Sequence, residues 1–160
     1  VEVVEYVDWG TDRARTSAPA LPRRAMRTGK ARGQLVGGCL PVLCELLGTP
    51  WFPEVEGGVL LLDYPQDYSC VGAARDLWHL LNAGVLDDVV AVVSGRSHLG
   101  LREQELAEIL LEATSFTRRP VPVVAGLACG HTIPNLTLPL GCVVEVDGPD
   151  VTIAEPGVVD

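Results

Sequence analysis

The sequence predicts an α/β fold with a mainly parallel sheet that is flanked by helices and followed by a C-terminal β-hairpin. Three apolar runs without polar alternation, at 57–64, 87–95 and 121–128, are typical of strands buried on both faces of a parallel sheet. Segments with helical spacing separate these runs, and βαβ crossovers make such neighbouring strands parallel. Near the C-terminus, LGCVVEVDG and VTIAEP alternate in polarity around a turn, which indicates an antiparallel pair.

The N-terminal part predicts a strand, a loop and a second strand. VEVVEYV (1–7) is rich in β-branched residues, which favour a strand. Residues 10–32 are rich in Arg, Thr, Ala and Pro, and we expect a loop there with room for a short helix. QLVGGC then predicts a short strand that stops at a Gly37-Gly38 turn.

Helices are predicted between the buried strands. The first covers about 41–47, because Pro favours the first helical turn and Gly48 stands just past the end. A second helix starts near residue 70, has apolar residues at helical spacing and is capped by Gly84. A third, amphipathic helix covers 101–114. A Gly-Pro-Asp turn joins the two strands of the hairpin.

Length and charge limit the class of protein. At 160 residues the chain has the size of one domain, and its net charge is −9. This acidic balance argues against nucleic acid as the main partner, because phosphate binding needs a surplus of Lys and Arg. No run approaches the ~18 consecutive apolar residues of a membrane span, and no signal peptide precedes the domain. We therefore expect no membrane partner and a cytoplasmic location.

Cysteine usage and glycine patterns argue against a metal or cofactor site. The five cysteines are odd in number and lack the CxxC spacing of a zinc site. We expect buried free thiols in a reduced compartment rather than a disulfide framework. No glycine-rich phosphate loop of the P-loop or dinucleotide type is present. The sequence thus predicts neither a bound metal nor a cofactor.

The charges are unevenly distributed along the chain. A cluster of cations within 13–32 leaves the remainder strongly acidic, and we expect a solvated basic segment, with the binding of anionic ligand groups as the alternative. The cluster consists of Arg13, Arg15, Arg23, Arg24, Arg27, Lys30 and Arg32.

Two ionisable residues follow different buried strands. Asp63 ends VLLL, and His131 lies just beyond VVAGLA. The carboxyl ends of parallel strands share one edge of the sheet, so the two side chains can meet there, with the carboxylate orienting an imidazole base. The alternative is structural: Asp63 caps a turn before Pro65, and His131 is a satisfied structural histidine.

Candidates for a nucleophile are weak. Ser97 in GRSHLG lies between a strand and a helix, but the second glycine of the G-x-S-x-G elbow comes one residue late. Cys129 is a second candidate, although nothing in its sequence surroundings lowers the pKa of its thiol. Among the other histidines, His79 is expected at a helix surface or boundary, and His98 lies in the loop with Ser97.

Three segments carry a resemblance to a known family: GQLVGGCLPVLCELLGTPWFPEVEGGVLLLDY, GVLDDVVAVVSGR and PVVAGLACGHTIPNLTLPLGCVVEVDG. From about Gly33 to the end, the sequence resembles the C-terminal domain of the LD-carboxypeptidase family of serine peptidases. That family includes the muramoyl-tetrapeptide carboxypeptidases and the microcin C self-immunity proteins, and VEYVDWGTD is more similar to the immunity branch. The resemblance divides the chain into 1–32, a strand and basic loop that link to a missing N-terminal domain, and 33–160, the family-like domain.

The resemblance implies a Ser-Glu-His triad that is split between two domains. The serine lies in the N-terminal domain, and the C-terminal domain supplies the other two residues. His131 in CGHTIPN matches the family histidine, and Asp63 in VLLLDY matches the position of the family glutamate. The implied activity is hydrolysis of a peptide or amide substrate, and dimeric relatives imply a homodimer.

The sequence departs from the family pattern in three ways. Asp63 is one methylene shorter than glutamate, and Cys39 stands where many members have Asn. The nucleophile domain is absent from the 160 residues, which begin at Val1 without an initiator Met. We therefore expect a piece of a longer protein that acts with a nucleophile domain on the same or a separate chain.

Other interpretations remain open at this point. One is a stand-alone, non-catalytic binding or regulatory domain derived from the family. Another is a chain that is itself a hydrolase through Ser97 or Cys129. Muropeptides, aminoacyl-nucleotide antibiotics and other amides all stay open as substrates.

Overall fold

The computed structural model of the chain describes residues 3–7, 15–19, 22–66, 68–97 and 103–157. None of the helices in these ranges is both long and apolar enough to cross a bilayer. The strands are β1 (Val3–Val7), β2 (Arg15–Pro19), β3 (Arg24–Arg27), β4 (Lys30–Cys39), β5 (Val59–Asp63), β6 (Ala91–Gly95), β7 (Val123–Leu127), β8 (Val143–Asp147) and β9 (Asp150–Ile153). The helices are α1 (Leu40–Leu46), α2 (Cys70–Asn82), α3 (Val85–Asp88) and α4 (Glu103–Ala113).

The main sheet has seven strands in the order β3-β7-β6-β5-β4-β8-β9. The central strands β7, β6, β5 and β4 are parallel. Antiparallel strands continue the sheet on both sides, with β3 next to β7 and the β8–β9 hairpin next to β4. β1 and β2 pair with each other in a separate two-stranded sheet. The predicted α/β fold with its mainly parallel sheet and C-terminal hairpin is confirmed.

Strand β5 shows why its sequence lacks polar alternation. Leu60 and Leu62 pack into a cluster that includes residues of all four helices, whereas Val59 and Leu61 pack into a second cluster. Successive side chains of a strand point to opposite faces, and here both faces are buried. Every position of the strand before Asp63 is therefore apolar.

The second cluster is built from residues of the strands and of the segments beside them, such as Cys129 and Leu138, rather than from helices. Val144 and Val146 of β8 belong to it, next to Leu35 of β4. The ten-residue strand β4 makes this arrangement possible, because Lys30–Gln34 pair with β8 and the following residues pair with β5. The hairpin thereby covers apolar surface that no described helix covers.

The expected loop over residues 10–32 is wrong for the part that the structure describes. β2 and β3 lie within it, and β4 begins at Lys30. Composition misleads at β4 because this strand is partly solvated: Lys30, Arg32 and Gln34 are exposed, and the residues between them are half-buried. Strands with one wet face carry charged residues at every second position.

In its described part, the basic segment forms ion pairs with the C-terminal hairpin. Three cations pair with hairpin carboxylates, namely Arg23 with Asp150 at 2.7 Å, Lys30 with Asp147 at 2.7 Å and Arg32 with Glu145 at 3.2 Å. Cross-strand pairs of opposite charge favour this register of β4 and β8. Arg13 lies outside the described residues, so the alternative of an anion-binding segment stays a prediction.

The expected Gly37-Gly38 turn is also wrong, because β4 runs through both residues to Cys39. A Cβ added at Gly37, which has φ +132°, would stand 2.0 Å from the carbonyl oxygen of Leu61 on the neighbouring strand. The glycine is therefore required by the close approach of two strands rather than by a change of chain direction.

The strand expected over 87–95 begins later than predicted, at Ala91. Asp87 and Asp88 belong instead to the short helix α3, which follows Gly84. Two aspartates in the first turn favour a helix N-terminus. The predicted helices agree more closely, since α1, α2 and α4 lie at the expected places.

Arg27 provides a test of how the basic segment contributes to stability. Its guanidinium donates to the Thr114 and Val121 carbonyls at 3.2 and 3.1 Å and to the Leu111 carbonyl at 3.4 Å, near the end of α4. Arg27→Ala is expected to lower the free energy of unfolding by about 1–3 kcal/mol, because the part-buried Val121 carbonyl loses its donor while the Leu111 and Thr114 carbonyls keep only hydroxyl donors. Urea denaturation followed by circular dichroism measures the change.

Arg32→Ala is the matched control, because the Arg32–Glu145 pair is exposed on both sides. Its loss should stay below about 1 kcal/mol. Equal losses for the two variants would contradict a structural role for Arg27.

Candidate active site

The loop after β7 crosses the end of β6 to reach the end of β5. β6 lies between β5 and β7 in the sheet, and the loop passes over Gly95, the last residue of β6. A Cβ at Gly95 would stand 2.8 Å from the carbonyl oxygen of Cys129 in that loop. This crossing brings His131 to Asp63, the last residue of β5.

One carboxylate holds His131 at two points. Asp63 Oδ2 lies 2.7 Å from Nδ1 of the imidazole, and Oδ1 accepts a hydrogen bond from the His131 backbone N–H at 3.0 Å. The first contact sets the orientation of the ring, and the second sets the position of the backbone. Aspartate therefore spans the distance to the histidine in this chain, although it is one methylene shorter than glutamate.

The contact also determines the tautomer of His131. An ionised carboxylate can only accept hydrogen bonds, so Nδ1 carries the proton and the lone pair of the neutral ring lies on Nε2. The Asp63 side chain is 13% exposed and the His131 side chain is 48% exposed. Nε2 has no hydrogen-bond partner among the residues that the structure describes. General-base catalysis uses a histidine of this kind, with one nitrogen fixed by a carboxylate and the other without a partner on a half-exposed ring.

Gly130 is the residue that lets the loop approach the carboxylate. It has φ +87°, and a Cβ at this position would stand 1.6 Å from Asp63 Oδ1. Any side chain here would displace the carboxylate or the loop. A glycine directly before His131 is therefore a steric requirement of the Asp63–His131 contact.

Asn135 bonds to the backbone of the same loop. Its Oδ1 accepts a hydrogen bond from the Gly130 N–H at 3.1 Å, and the Leu136 N–H donates to the Ala128 carbonyl at 2.6 Å. Sequence reasoning missed Asn135, although an Asn in a loop that also contains prolines is a common signal for side-chain-to-backbone bonding.

Polar groups beneath Asp63 are buried and paired. The Tyr64 hydroxyl lies 2.9 Å from the Ser94 hydroxyl, and both residues are fully buried. The rings of Tyr64 and Tyr68 stack with centroids 6.4 Å apart. The bond between Tyr64, which follows Asp63, and Ser94 fixes the end of β5. Breaking this bond would leave a buried hydroxyl without a partner, which is costly. The signal that was missed is a tyrosine just after one apolar strand and a serine inside the next.

Asp76 of α2 anchors the loop that follows β5. It is 4% exposed, accepts a hydrogen bond from the Tyr68 hydroxyl and pairs with Arg75 at 2.7 Å. Burial raises the pKa of this carboxyl, but the hydrogen bonds from Arg75 and Tyr68 outweigh it, so the pKa lies below its usual value. Asp76 is thus ionised at neutral pH and holds Tyr68 in place.

The cysteines near Asp63 are protonated rather than reactive. Cys129 is 3% exposed, and burial together with the nearby Asp63 charge raises the pKa of its thiol to about 12. Cys39 pairs with Asp63 in the register of β4 and β5, and burial followed by the Asp63 charge raises the pKa of its thiol as well. Since the thiolate is the nucleophile, neither cysteine is suited to that role.

The remaining candidates do not join the site. Ser97 follows β6 and is 2% exposed, which leaves its hydroxyl little access to a substrate. His79 is exposed on α2, as expected. His98 lies outside the described residues. Within the described ranges, no group of three or more His, Cys, Asp or Glu side chains is arranged to hold a metal ion.

Comparison with known proteins gives one family match. Residues 32–146 match the model of the LD-carboxypeptidase C-terminal domain. The microcin C7 self-immunity protein MccF of Escherichia coli is 30% identical over 135 residues, which are 80% of this chain and 38% of that protein. The protein named "Putative carboxypeptidase YocD" of Bacillus subtilis is 33% identical over 121 residues, which are 72% of this chain and 36% of that protein.

Solved structures give the same result. MccF in complex with glutamyl sulfamoyl guanosine superposes with a TM-score of 0.79 and 25% identity, over 98% of this chain and 51% of that chain. Another MccF structure is an active-site mutant in which a serine, an asparagine and a lysine are replaced by alanine. The chain spans about half the length of the solved MccF chain and less than two fifths of either curated relative.

Gly130→Ala tests the steric requirement of the site. The new methyl group would meet Asp63 Oδ1, so the carboxylate or the loop must move and the contact with His131 must break. Gly141 is a matched control, because it has φ +88° and nothing within 4 Å of an added Cβ. We expect Gly141→Ala to cost about 1 kcal/mol of unfolding free energy through backbone strain alone.

Gly130→Ala should cost at least about 1 kcal/mol more than this control, because it adds the loss of a charge-assisted hydrogen bond to the same strain. Thermal and urea unfolding of both variants provide the comparison. Equal costs would mean that the close approach to Asp63 does not constrain residue 130.

Cys129 provides a pH-dependent test. With a thiol pKa of about 12, only about one molecule in ten thousand carries a thiolate at pH 8, so alkylation by iodoacetamide should be slow in the folded chain. The rate should rise about tenfold with each pH unit while the fold persists. Mass spectrometry of the peptide that contains Cys129 measures it, with urea-unfolded chain as the control. Rapid labelling of folded chain at neutral pH would restore Cys129 as a nucleophile candidate.

Proposed function

This chain belongs to the LD-carboxypeptidase family through its match to the C-terminal domain, and from that membership we propose that it supplies two members of a Ser-His-acid triad for amide hydrolysis. His131 is the general base and acid of this triad, and Asp63 is the residue that orients it. The serine nucleophile belongs to an N-terminal domain on the same or a separate chain.

The observation that carries the proposal is the 2.7 Å contact between Asp63 and Nδ1 of a half-exposed His131. A structural histidine is expected to satisfy both ring nitrogens inside the fold, whereas His131 keeps Nε2 free of partners in the described part of the chain. A carboxylate on Nδ1 and an accessible Nε2 are the two features that a triad histidine needs.

The proposed reaction follows the usual course of a serine hydrolase. Nε2 of His131 takes the proton of the serine hydroxyl while that oxygen attacks the amide carbonyl. The imidazolium then gives this proton to the nitrogen of the leaving amine, and water later releases the acyl group by the reverse sequence. Asp63 stays ionised throughout and stabilises the imidazolium through Nδ1.

The other candidate nucleophiles are buried, and this supports the need for a second domain that supplies the serine. Ser97 is buried, and the thiol of Cys129 is buried and protonated. Among the relatives, an active-site mutant of MccF carries an alanine in place of a serine. We infer that the part of residues 1–32 before β3 leads from such a serine-bearing domain to the family-like domain, whose sheet includes β3 and the start of β4.

The substrate is proposed to be an amide of peptide type. One relative is named as a self-immunity protein against microcin C7, and one MccF structure holds glutamyl sulfamoyl guanosine. An aminoacyl nucleotide of microcin type and a muropeptide are therefore the two substrate classes to compare. Both present an amide or acyl bond that a Ser-His-acid triad can cleave.

Reconstitution of the two halves tests the proposal. The chain is combined with its serine-bearing domain, and hydrolysis of a muropeptide tetrapeptide and of an aminoacyl sulfamoyl nucleoside is followed by mass spectrometry. His131→Ala should lower kcat by about 10³-fold or more, because the base and its proton transfer are removed. His79→Ala, an exposed histidine of α2, is the control and should retain the full rate.

Two outcomes would count against the proposal. A full rate in His131→Ala would remove His131 from the mechanism. Binding of a substrate without any hydrolysis by the wild-type pair would instead favour a non-catalytic binding or regulatory domain.

A further inference from the structure

We propose that Asn135 is a positioning residue that holds His131 in contact with Asp63. The catalytic meaning of this inference rests on the proposed function, but the contact itself can be measured in the chain alone. Asn135 is exposed, and its side-chain oxygen faces the backbone of the loop rather than the core.

The loop from Ala128 to Leu136 is closed by two bonds across its base. Leu136 N–H donates to the Ala128 carbonyl, and Asn135 Oδ1 accepts from the Gly130 N–H. Gly130 directly precedes His131, so the second bond holds the backbone from which the imidazole side chain extends. No other partner of the Gly130 N–H occurs among the described residues.

The remaining contacts of the loop do not replace this bond. The hydroxyl of Thr132 is buried but has no hydrogen-bond partner in the part of the chain that the structure describes. The His131 ring is half exposed, so little packing holds it. Its place depends on the two contacts with Asp63 and on the backbone angle of Gly130, which Asn135 stabilises.

Asparagine suits this task for a chemical reason. Its short side chain reaches back to a nearby backbone N–H, as in Asx turns, and it does so without placing a charge beside the catalytic pair. An aspartate would offer the same acceptor geometry with a charge, and an alanine would leave the Gly130 N–H to solvent. The bond therefore fixes the loop before any substrate arrives.

The test uses the 160-residue chain labelled with ¹⁵N, without substrate. In the wild type, the imidazole ¹⁵N shifts should show His131 held as the Nδ1–H tautomer, and the Gly130 amide should be protected from exchange. In Asn135→Ala we expect Gly130 exchange to rise by about fivefold and the His131 shifts to move toward those of an imidazole that exchanges between tautomers.

Two further variants complete the experiment. Asn135→Asp keeps an acceptor for the Gly130 N–H and should restore both signals. Thr137→Ala removes a different exposed side chain, two residues after Asn135, and should leave both signals as in the wild type. If Asn135→Ala fails to fold, the comparison of Asn135→Asp with the wild type still decides whether an acceptor at this position is sufficient.

The inference is overturned if His131 keeps its wild-type signals in Asn135→Ala, or if Asn135→Asp loses them as fully as Asn135→Ala does. Global destabilisation alone leaves the imidazole signals of the folded molecules in place, so the readout separates positioning from stability. A lack of amide hydrolysis in the reconstituted protein would defeat the proposed function without changing this result.

Discussion

The carboxylate of Asp63 binds two N–H groups of a single residue, and the geometry of the whole site depends on this contact. One oxygen holds the His131 backbone and the other holds the imidazole. Both bonds require the loop to approach within hydrogen-bonding distance of β5, which is why residue 130 has no side chain. The ring thereby keeps one nitrogen fixed and one nitrogen exposed, which is the arrangement that a general base needs.

The parallel sheet provides the positions that this contact joins. Asp63 ends β5, and His131 follows β7, so the loop must cross the intervening strand β6 at Gly95. Apolar clusters on both faces of the sheet hold these strand ends in register. A buried pair between Tyr64 and Ser94 and a partly buried pair between Tyr68 and Asp76 fix the chain just after Asp63. The rigid strands and the short loop after β7 bring His131 close enough for the aspartate side chain, so the longer side chain of glutamate is not needed.

Much of this arrangement could be predicted from the sequence, and the failures have physical causes. The apolar runs predicted the central strands, and the rule that ligands gather at strand carboxyl ends predicted the meeting of Asp63 with His131. The start of β4 within 10–32 was missed because Lys30 and Arg32 are exposed and charged and their partners, Asp147 and Glu145, lie far along the chain. Asn135 was missed because an Asn beside prolines signals a side-chain bond to the backbone but does not say which N–H group it reaches. The role of Gly37 was misread because close strand approach and a turn both favour glycine.

A double-mutant cycle on Asp63 and His131 tests the central claim most directly. The free energy of unfolding is measured by urea denaturation for the wild-type chain, Asp63→Ala, His131→Ala and the double variant. Residues in direct hydrogen-bonded contact couple with an energy of about 1 kcal/mol or more, and we expect a coupling of that size between Asp63 and His131. A coupling near zero would mean that the carboxylate and the imidazole do not depend on each other, which would contradict the account.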